Sequence, residues 1–144
     1  MPTVQSILDR KGSAVATVDR SSTVLQAAQL MNDRRIGAVV VVSGDRAVGI
    51  FTERDVMTRV VATRKESEKT LVGDVMTCPM AVCRRDTKLA ECRTIMTQRR
   101  IRHLPVVEDG KLFGLISSGD ILASEVADQQ ATIEYLHEYL YGRH

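Results

Sequence analysis

The chain has 144 residues, 44% apolar and 26% charged, a balance that suits one compact domain or two very small ones and excludes wholesale disorder. The 20 basic residues against 18 acidic ones leave a net charge of +2, too small to predict duplex-DNA binding, and 2 Phe, 3 Tyr and no Trp argue against a stacking platform for single strands. No stretch approaches a membrane span, the opening MPTVQSILDRKGS has no apolar leader core, and Cys78, Cys83 and Cys92 lack paired CxxC spacing, so the expectation is a cytoplasmic protein with reduced thiols, no metal site and no membrane partner.

In chain order, the short apolar start at residues 15–18 predicts a brief strand. A helix follows, with Val24, Ala27, Ala28 and Met31 on one face and Ser22-Thr23 as candidate N-caps. Residues 38–42 have buried-strand character. After a tight turn at residues 43–46, a second strand is expected over 47–51 and a second helix from near Asp55. The charged run 64–69 has no apolar period and reads as a linker.

The same order then repeats at a constant offset of 65 residues: Met31 falls on Met96, Gly49 on Gly114 and Asp55 on Asp120, with no gap from Val15 to Met57. The second copy has a strand start at 80–83, a helix with Leu89, Cys92 and Met96 inward and Asp86-Thr87 as candidate caps, strands at 103–107 and 112–116 around Asp109-Gly110, and a helix from near Asp120. The expected divisions are a first repeat over 4–63, a linker over 64–70, a second repeat over 71–123 and a helical tail over 124–144. Each copy is too small to bury a full core alone, so the two should pack together. The fold class is α+β, two strand-helix-strand-strand-helix copies. In the tail, Ile133, Leu136 and Leu140 share a face flanked by Tyr135 and Tyr139, which reads either as a helix closing its own core or as a dimer contact.

The chemistry sits in the segment after each hairpin, Gly49-Ile50-Phe51-Thr52-Glu53-Arg54-Asp55 and Gly114-Leu115-Ile116-Ser117-Ser118-Gly119-Asp120. Thr52-x-x-Asp55 and Ser117-x-x-Asp120 match a capping box, which any helix could use. The same geometry can instead grip a ribose phosphate: the helix start offers N–H groups to phosphate, and the carboxylate accepts from both hydroxyls of a diol. On this second reading the glycine lets a ligand approach the backbone.

The paired GIFTERD and GLISSGD, with IGAVVVV set against IRHLPVV, resemble a tandem pair of cystathionine-β-synthase (CBS) domains from about Val4 to Ala123. The closing TIEYLHEYLYGR is similar to small bacterial and organellar proteins made of one such pair. The resemblance implies pseudo-twofold packing and two clefts for adenine nucleotides between the copies. By that resemblance, cleft one uses Ile50, Thr52, Arg54 and Asp55 with Met80, Ala81, Ile101, Arg102, His103 and Pro105. Cleft two uses Leu115, Ser117, Gly119 and Asp120 with Ala16, Ile36, Gly37 and Ala38, and Lys11 near its mouth. Arg102 and His103 stand where the family meets phosphate, and the first copy has Gly37 and Ala38 at the equivalent positions, so the resemblance implies that cleft one carries the phosphate contacts, with Arg54, while cleft two takes a different adenine ligand or none. Pro105 within a strand suggests an edge with room beside it.

AMP is the favoured ligand, with ADP, ATP, NAD(H) and S-adenosylmethionine behind it. The expected function is a non-enzymatic sensor, a homodimer that reports nucleotide state to an unidentified regulated protein. The alternative is a dimeric scaffold with vestigial clefts. No HExxH, GxSxG, Walker A loop or GxGxxG is present, and nothing brings Cys83 and His103 together as a thiol–base pair, so no catalytic residue and no catalytic cofactor is assigned. The pairs Arg34-Arg35 and Arg99-Arg100 fit helix C-termini rather than nucleic acid.

Overall fold

The computed structural model describes residues 2–141; the tail residues 142–144 lie outside the described residues. In order, the elements are α1 (Val4–Lys11), β1 (Thr17–Asp19), α2 (Val24–Arg34), β2 (Ala38–Ser43), β3 (Arg46–Thr52), α3 (Glu53–Asp55) running into a π-helical turn (Val56–Val61), α4 (Val72–Val75), α5 (Leu89–Arg99), β4 (His103–Glu108), β5 (Lys111–Ser117) and α6 (Ser118–Tyr141).

The sequence offset survives in three dimensions. α2 and α5, β2 and β4, and β3 and β5 begin and end at equivalent positions. Both long helices close on an arginine in the left-handed conformation, Arg35 at φ 54° and Arg100 at φ 55°. Both hairpins are antiparallel and both shift register at the same place, between Val41 and Val42 and between Val106 and Val107. The chain is thus a tandem pair in a mixed α+β fold. The arginine pairs do sit at the two helix ends, where cations suit the dipole.

Four local expectations are corrected. The first strand lies over Thr17–Asp19, parallel to β2, but its counterpart at 80–83 is reduced to one parallel bridge, Cys83 to Val106. Thr23 caps α2 with a full capping box to Gln26, whereas the equivalent position in the second copy is Lys88, which has no capping oxygen. Thr87 instead accepts from the Arg84 N–H in the preceding loop, so Asp86-Thr87 do not cap α5. The helices after the hairpins start at Glu53 and Ser118, because Thr52 and Ser117 stand at the caps and the aspartates at the third helical position. Finally, the tail does not close its own core: α6 runs on as one helix and Ile133, Leu136 and Leu140 stay exposed.

α1 and α4 account for how the copies hold together, and each serves the other copy's core. The Val4 and Gln5 N–H groups donate to Thr87 and Arg85 carbonyls at 2.9 Å each. In the mirror position, the Val72 and Gly73 N–H groups donate to Ser22 and Arg20 carbonyls at 2.8 and 2.9 Å. The apolar stripe of α1, Val4, Ile7 and Leu8, is therefore buried among Leu89, Cys92, Leu104 and Ile116 of the second copy. Val72 and Val75 of α4 are buried among Val24, Phe51 and Val60 of the first. Neither core is complete without a helix from the other half of the sequence.

This exchange also explains the two hairpin glycines. A Cβ on Gly114 would lie 2.6 Å from Leu8 Cδ2, and a Cβ on Gly49 would lie 2.5 Å from Met76 Sδ. The expectation that these glycines admit a ligand is corrected: Gly114 admits Leu8 of α1, and Gly49 admits Met76, the residue that follows α4.

Gly114→Ala is therefore an overpacking change, expected to cost about 1–3 kcal/mol. Leu8→Ala alone should cost about 2–5 kcal/mol. Denaturant unfolding of the singles and the double should show the double less destabilised than the sum by about 1 kcal/mol or more, since the smaller residue 8 makes room for the new methyl. Additive losses would mean that these two positions do not meet.

Candidate functional site

A cavity of about 740 Å³ opens where the strand-to-helix junction of the first copy meets the α5–β4 connection of the second. The first copy contributes Ile50 and Thr52 from the end of β3 and Arg54 and Asp55 from α3. The second contributes Ala81, Ile101, Arg102 and His103. All eight belong to the expected cleft one.

Asp55 is 7% exposed and heavily used. Its Oδ2 accepts from the Thr52 N–H at 3.0 Å while its own N–H donates to Thr52 Oγ1 at 3.2 Å, so the capping box is real. The Thr77 hydroxyl donates to both carboxylate oxygens at 3.2 and 3.3 Å, and Arg59 pairs with Oδ1 at 3.5 Å. These contacts fix the carboxylate at the cavity wall without sealing the hollow beside it. Arg54 Nη1 donates to the Arg100 carbonyl at 3.3 Å, a second polar link between the copies beside that of Thr77 to Asp55.

Arg54, Arg99, Arg100 and Arg102 bring four positive charges to the lining against Glu53 and Asp55, which leaves a surplus of two. Burial pushes the His103 imidazole below its ordinary value, by more than Glu53 and Asp120 raise it, so His103 is neutral near pH 7. Ile50, Met57, Pro79, Ala81 and Ile101 supply the apolar lining.

Several lining residues were not anticipated. Thr77 has no local signal; it arrives because its backbone pairs with Ile50 in both directions, at 2.8 and 3.1 Å, as the chain leaves α4. Glu53, Met57, Arg99 and Arg100 are neighbours of named residues and follow from the helix geometry. Gly37, assigned by resemblance to cleft two, lines this cavity. Met80 and Pro105 do not line it. Pro105 is buried in β4, and its carbonyl accepts the Cys83 N–H at 3.0 Å, which fills the space expected beside it.

The other cleft-two residues line neither this cavity nor a smaller one between α1 and β5. Ser117 and Asp120 form the second capping box, with Ser117 N–H donating to Oδ2 at 2.8 Å. The same Oδ2 takes the Lys11 ammonium at 2.7 Å. Partial burial pushes Asp120 up, but Lys11 and the Ser117 N–H outweigh it and hold the carboxyl below its ordinary value. Ala38 is buried opposite Thr52 in the hairpin, Ala16 packs beside the first core, and Ile36, Gly119 and Leu115 remain partly or fully exposed. Cys83 lies in the second core beside Cys92, which with burial pushes its thiol up; it does not face His103.

The chain is similar to known proteins in sequence and fold. A family profile described as CBS domain matches residues 7–62 and 72–126. The chain is 31% identical to the mitochondrial CBS domain-containing protein CBSX3 of Arabidopsis thaliana, over 97% of this chain and 72% of that protein. It is 30% identical to the CBS domain-containing protein YhcV of Bacillus subtilis, over 89% of this chain and 91% of that one. Among solved structures it resembles a Burkholderia ambifaria protein described as a signal-transduction protein with CBS domains, at 42% identity and TM-score 0.84 over 89% of this chain and 96% of that chain. It also resembles a hexameric CBS-CP12 protein from bloom-forming cyanobacteria, at 28% identity and TM-score 0.73, over 84% and 70% of the two chains.

Folding lowers the proton affinity of His103, so the stability that rests on its neutral form is complete above the ordinary value of 6.5 and is lost as pH falls below it. Denaturant unfolding at pH 7.5 and pH 5 should show wild type losing more stability than His103→Gln over that interval. Equal losses would place His103 in water.

Proposed function

The chain belongs to the CBS-domain family, and from that premise we propose that it is a regulatory module that binds AMP in the cavity between its two copies and transforms nothing. The observation that carries this reading is the composition of one wall against the other: a fixed carboxylate and hydroxyl on the first copy, arginines and a neutral histidine on the second. A volume of about 740 Å³ lies within the range of about 300–1,000 Å³ usual for small-molecule pockets.

The chemistry assigns the parts. A carboxylate has about four lone-pair sites, and Thr52, Thr77 and Arg59 use most of those of Asp55, so one ribose hydroxyl donates to Asp55 directly and the second competes with the Thr77 hydroxyl. The phosphate takes Arg54, Arg102 and His103. The base lies against Ile50, Ala81 and Ile101. The positive surplus places the anionic AMP, ADP, ATP and NAD(H) ahead of the cationic S-adenosylmethionine. Binding changes the relation between copies because Arg54 must divide itself between the Arg100 carbonyl and the phosphate. A ligand shifts the arrangement only by its differential contacts, and this exchange is one. A regulated partner would read that shift from a cytoplasmic homodimer.

Cleft two is held shut in this reading. Lys11 pairs with Oδ2 of Asp120, and a nucleotide in cleft two would have to displace that ion pair, so one nucleotide binds per chain. The scaffold reading draws on the same ion pair and on the uncovered face of α6; in it neither cleft takes ligand.

Calorimetric titration with AMP should give one site per chain, weakened about tenfold or more in Arg102→Ala, where a charge-assisted contact worth about 1.5–3 kcal/mol is lost. Lys11→Ala should raise the stoichiometry toward two. An absence of heat and of any melting shift with all five ligands would favour the scaffold. Unchanged binding in Arg102→Ala would move the phosphate elsewhere.

A further inference from the structure

Glu53 carries a charge that no contact described so far uses. It is the first residue of α3, directly after the Thr52 cap, and it is exposed on the cavity lining. The aspartates of the paired motifs are both engaged, Asp55 by Thr77 and Arg59 and Asp120 by Lys11. Among the described residues no cation comes within ion-pair distance of Glu53, although four arginines line the same hollow.

Gly37 fixes where that charge sits. The Glu53 N–H donates to the Gly37 carbonyl at 3.0 Å, and the carboxylate leans over the bare Cα, where a Cβ would lie 2.7 Å from Oε1. The twin junction keeps the backbone bond, Ser118 N–H to the Arg102 carbonyl at 2.8 Å, but has a serine for the glutamate and an arginine for the glycine. One junction therefore brings an anion to the cavity and the other a cation. His103 registers both. Burial sets the direction of its shift, and of the charges that act on it Glu53 is the strongest, ahead of Asp120, Lys11 and Arg102.

We infer that Glu53 is a specificity-determining residue: its unpaired carboxylate holds the cavity to a nucleoside monophosphate and disfavours the di- and triphosphate. The inference rests on the nucleotide reading of the cavity and adds the selection by charge. Four arginines against Glu53 and Asp55 leave a surplus of two positive charges. A phosphate monoester carries about −1.5 to −2 at neutral pH, so a monophosphate balances that surplus. Each further phosphate adds a charge that nothing on the lining balances, and adds it beside His103, where the field of Glu53 is felt. Without the Glu53 charge the surplus would be three, which suits a diphosphate. Arginines alone would turn the preference toward the more highly charged ligand. Asp55 cannot serve in this way, since Thr52, Thr77 and Arg59 already face its oxygens.

Calorimetric titration of the full chain with AMP, ADP and ATP in magnesium-free buffer tests this. Wild type should bind AMP most tightly. In Glu53→Gln, which keeps size and backbone, the ADP-to-AMP ratio of Kd should fall about fivefold or more, the effect of one charge acting through partly hydrated protein, and the ATP-to-AMP ratio should fall at least as far. Glu53→Asp, which restores the charge, should return both ratios to within about twofold of wild type. Unchanged ratios in Glu53→Gln, a Glu53→Asp variant that behaves like Glu53→Gln, or weaker AMP binding in Glu53→Gln would each overturn the inference, the last by making Glu53 an acceptor for the ligand. Inorganic phosphate and pyrophosphate are titrated into the same proteins. If no nucleotide binds but Glu53→Gln gains affinity for pyrophosphate over phosphate, the nucleotide reading fails and the charge selection stands. If nucleotides bind with the same ratios in all three proteins, the selection fails and the nucleotide reading stands.

Discussion

The structure depends on a reciprocal exchange of short helices. α1 belongs to the first half of the sequence and completes the core of the second; α4 does the reverse. Backbone hydrogen bonds of nearly equal length fix both, and the glycine in each hairpin makes room for the arriving side chain. Two units of this size could not each bury a sufficient core. Interlocked, the two copies share their cores, and the hollow lies between walls that belong to different halves of the sequence.

Symmetry in the backbone does not carry over to the chemistry. The same hydroxyl-x-x-aspartate segment occurs twice with the same capping hydrogen bonds. What meets the carboxylate differs. Asp55 receives the Thr77 hydroxyl and, at 3.5 Å, the Arg59 guanidinium, and stands at the cavity wall; Asp120 receives the Lys11 ammonium at 2.7 Å. By repeat position Arg102 and His103 correspond to Gly37 and Ala38, but Gly37 lines the same cavity and Ala38 is buried in the hairpin. A duplicated fold can thus keep one site for ligand and use its twin for internal cohesion, with no change in topology.

Much of this was legible in the sequence because the repeat preserves spacing. The hairpins, α2 and α5 follow from an offset that never shifts between Val15 and Met57, and the placement of the site at the strand-to-helix junction follows from the paired motif. Contacts distant in sequence were not legible. Thr77 joins Asp55 only because the chain pairs with Ile50 on leaving α4, and no local pattern announces that. The N-terminal helix carries a visible signal, Val4, Ile7 and Leu8 at helical spacing, but its destination in the other copy's core is a tertiary fact. The lost cap of α5 shows the same limit: Thr87 is a capping residue by type, yet the loop before it takes its hydroxyl.

The central claim is that ligand is held between the copies, at one cleft of the two. Hydrogen exchange followed residue by residue, with and without saturating AMP, tests it most directly. The account predicts slower exchange on both walls together, at residues 50–57 and 99–103, with residues 115–120 unchanged. Protection confined to 115–120, or to one wall without the other, would contradict it.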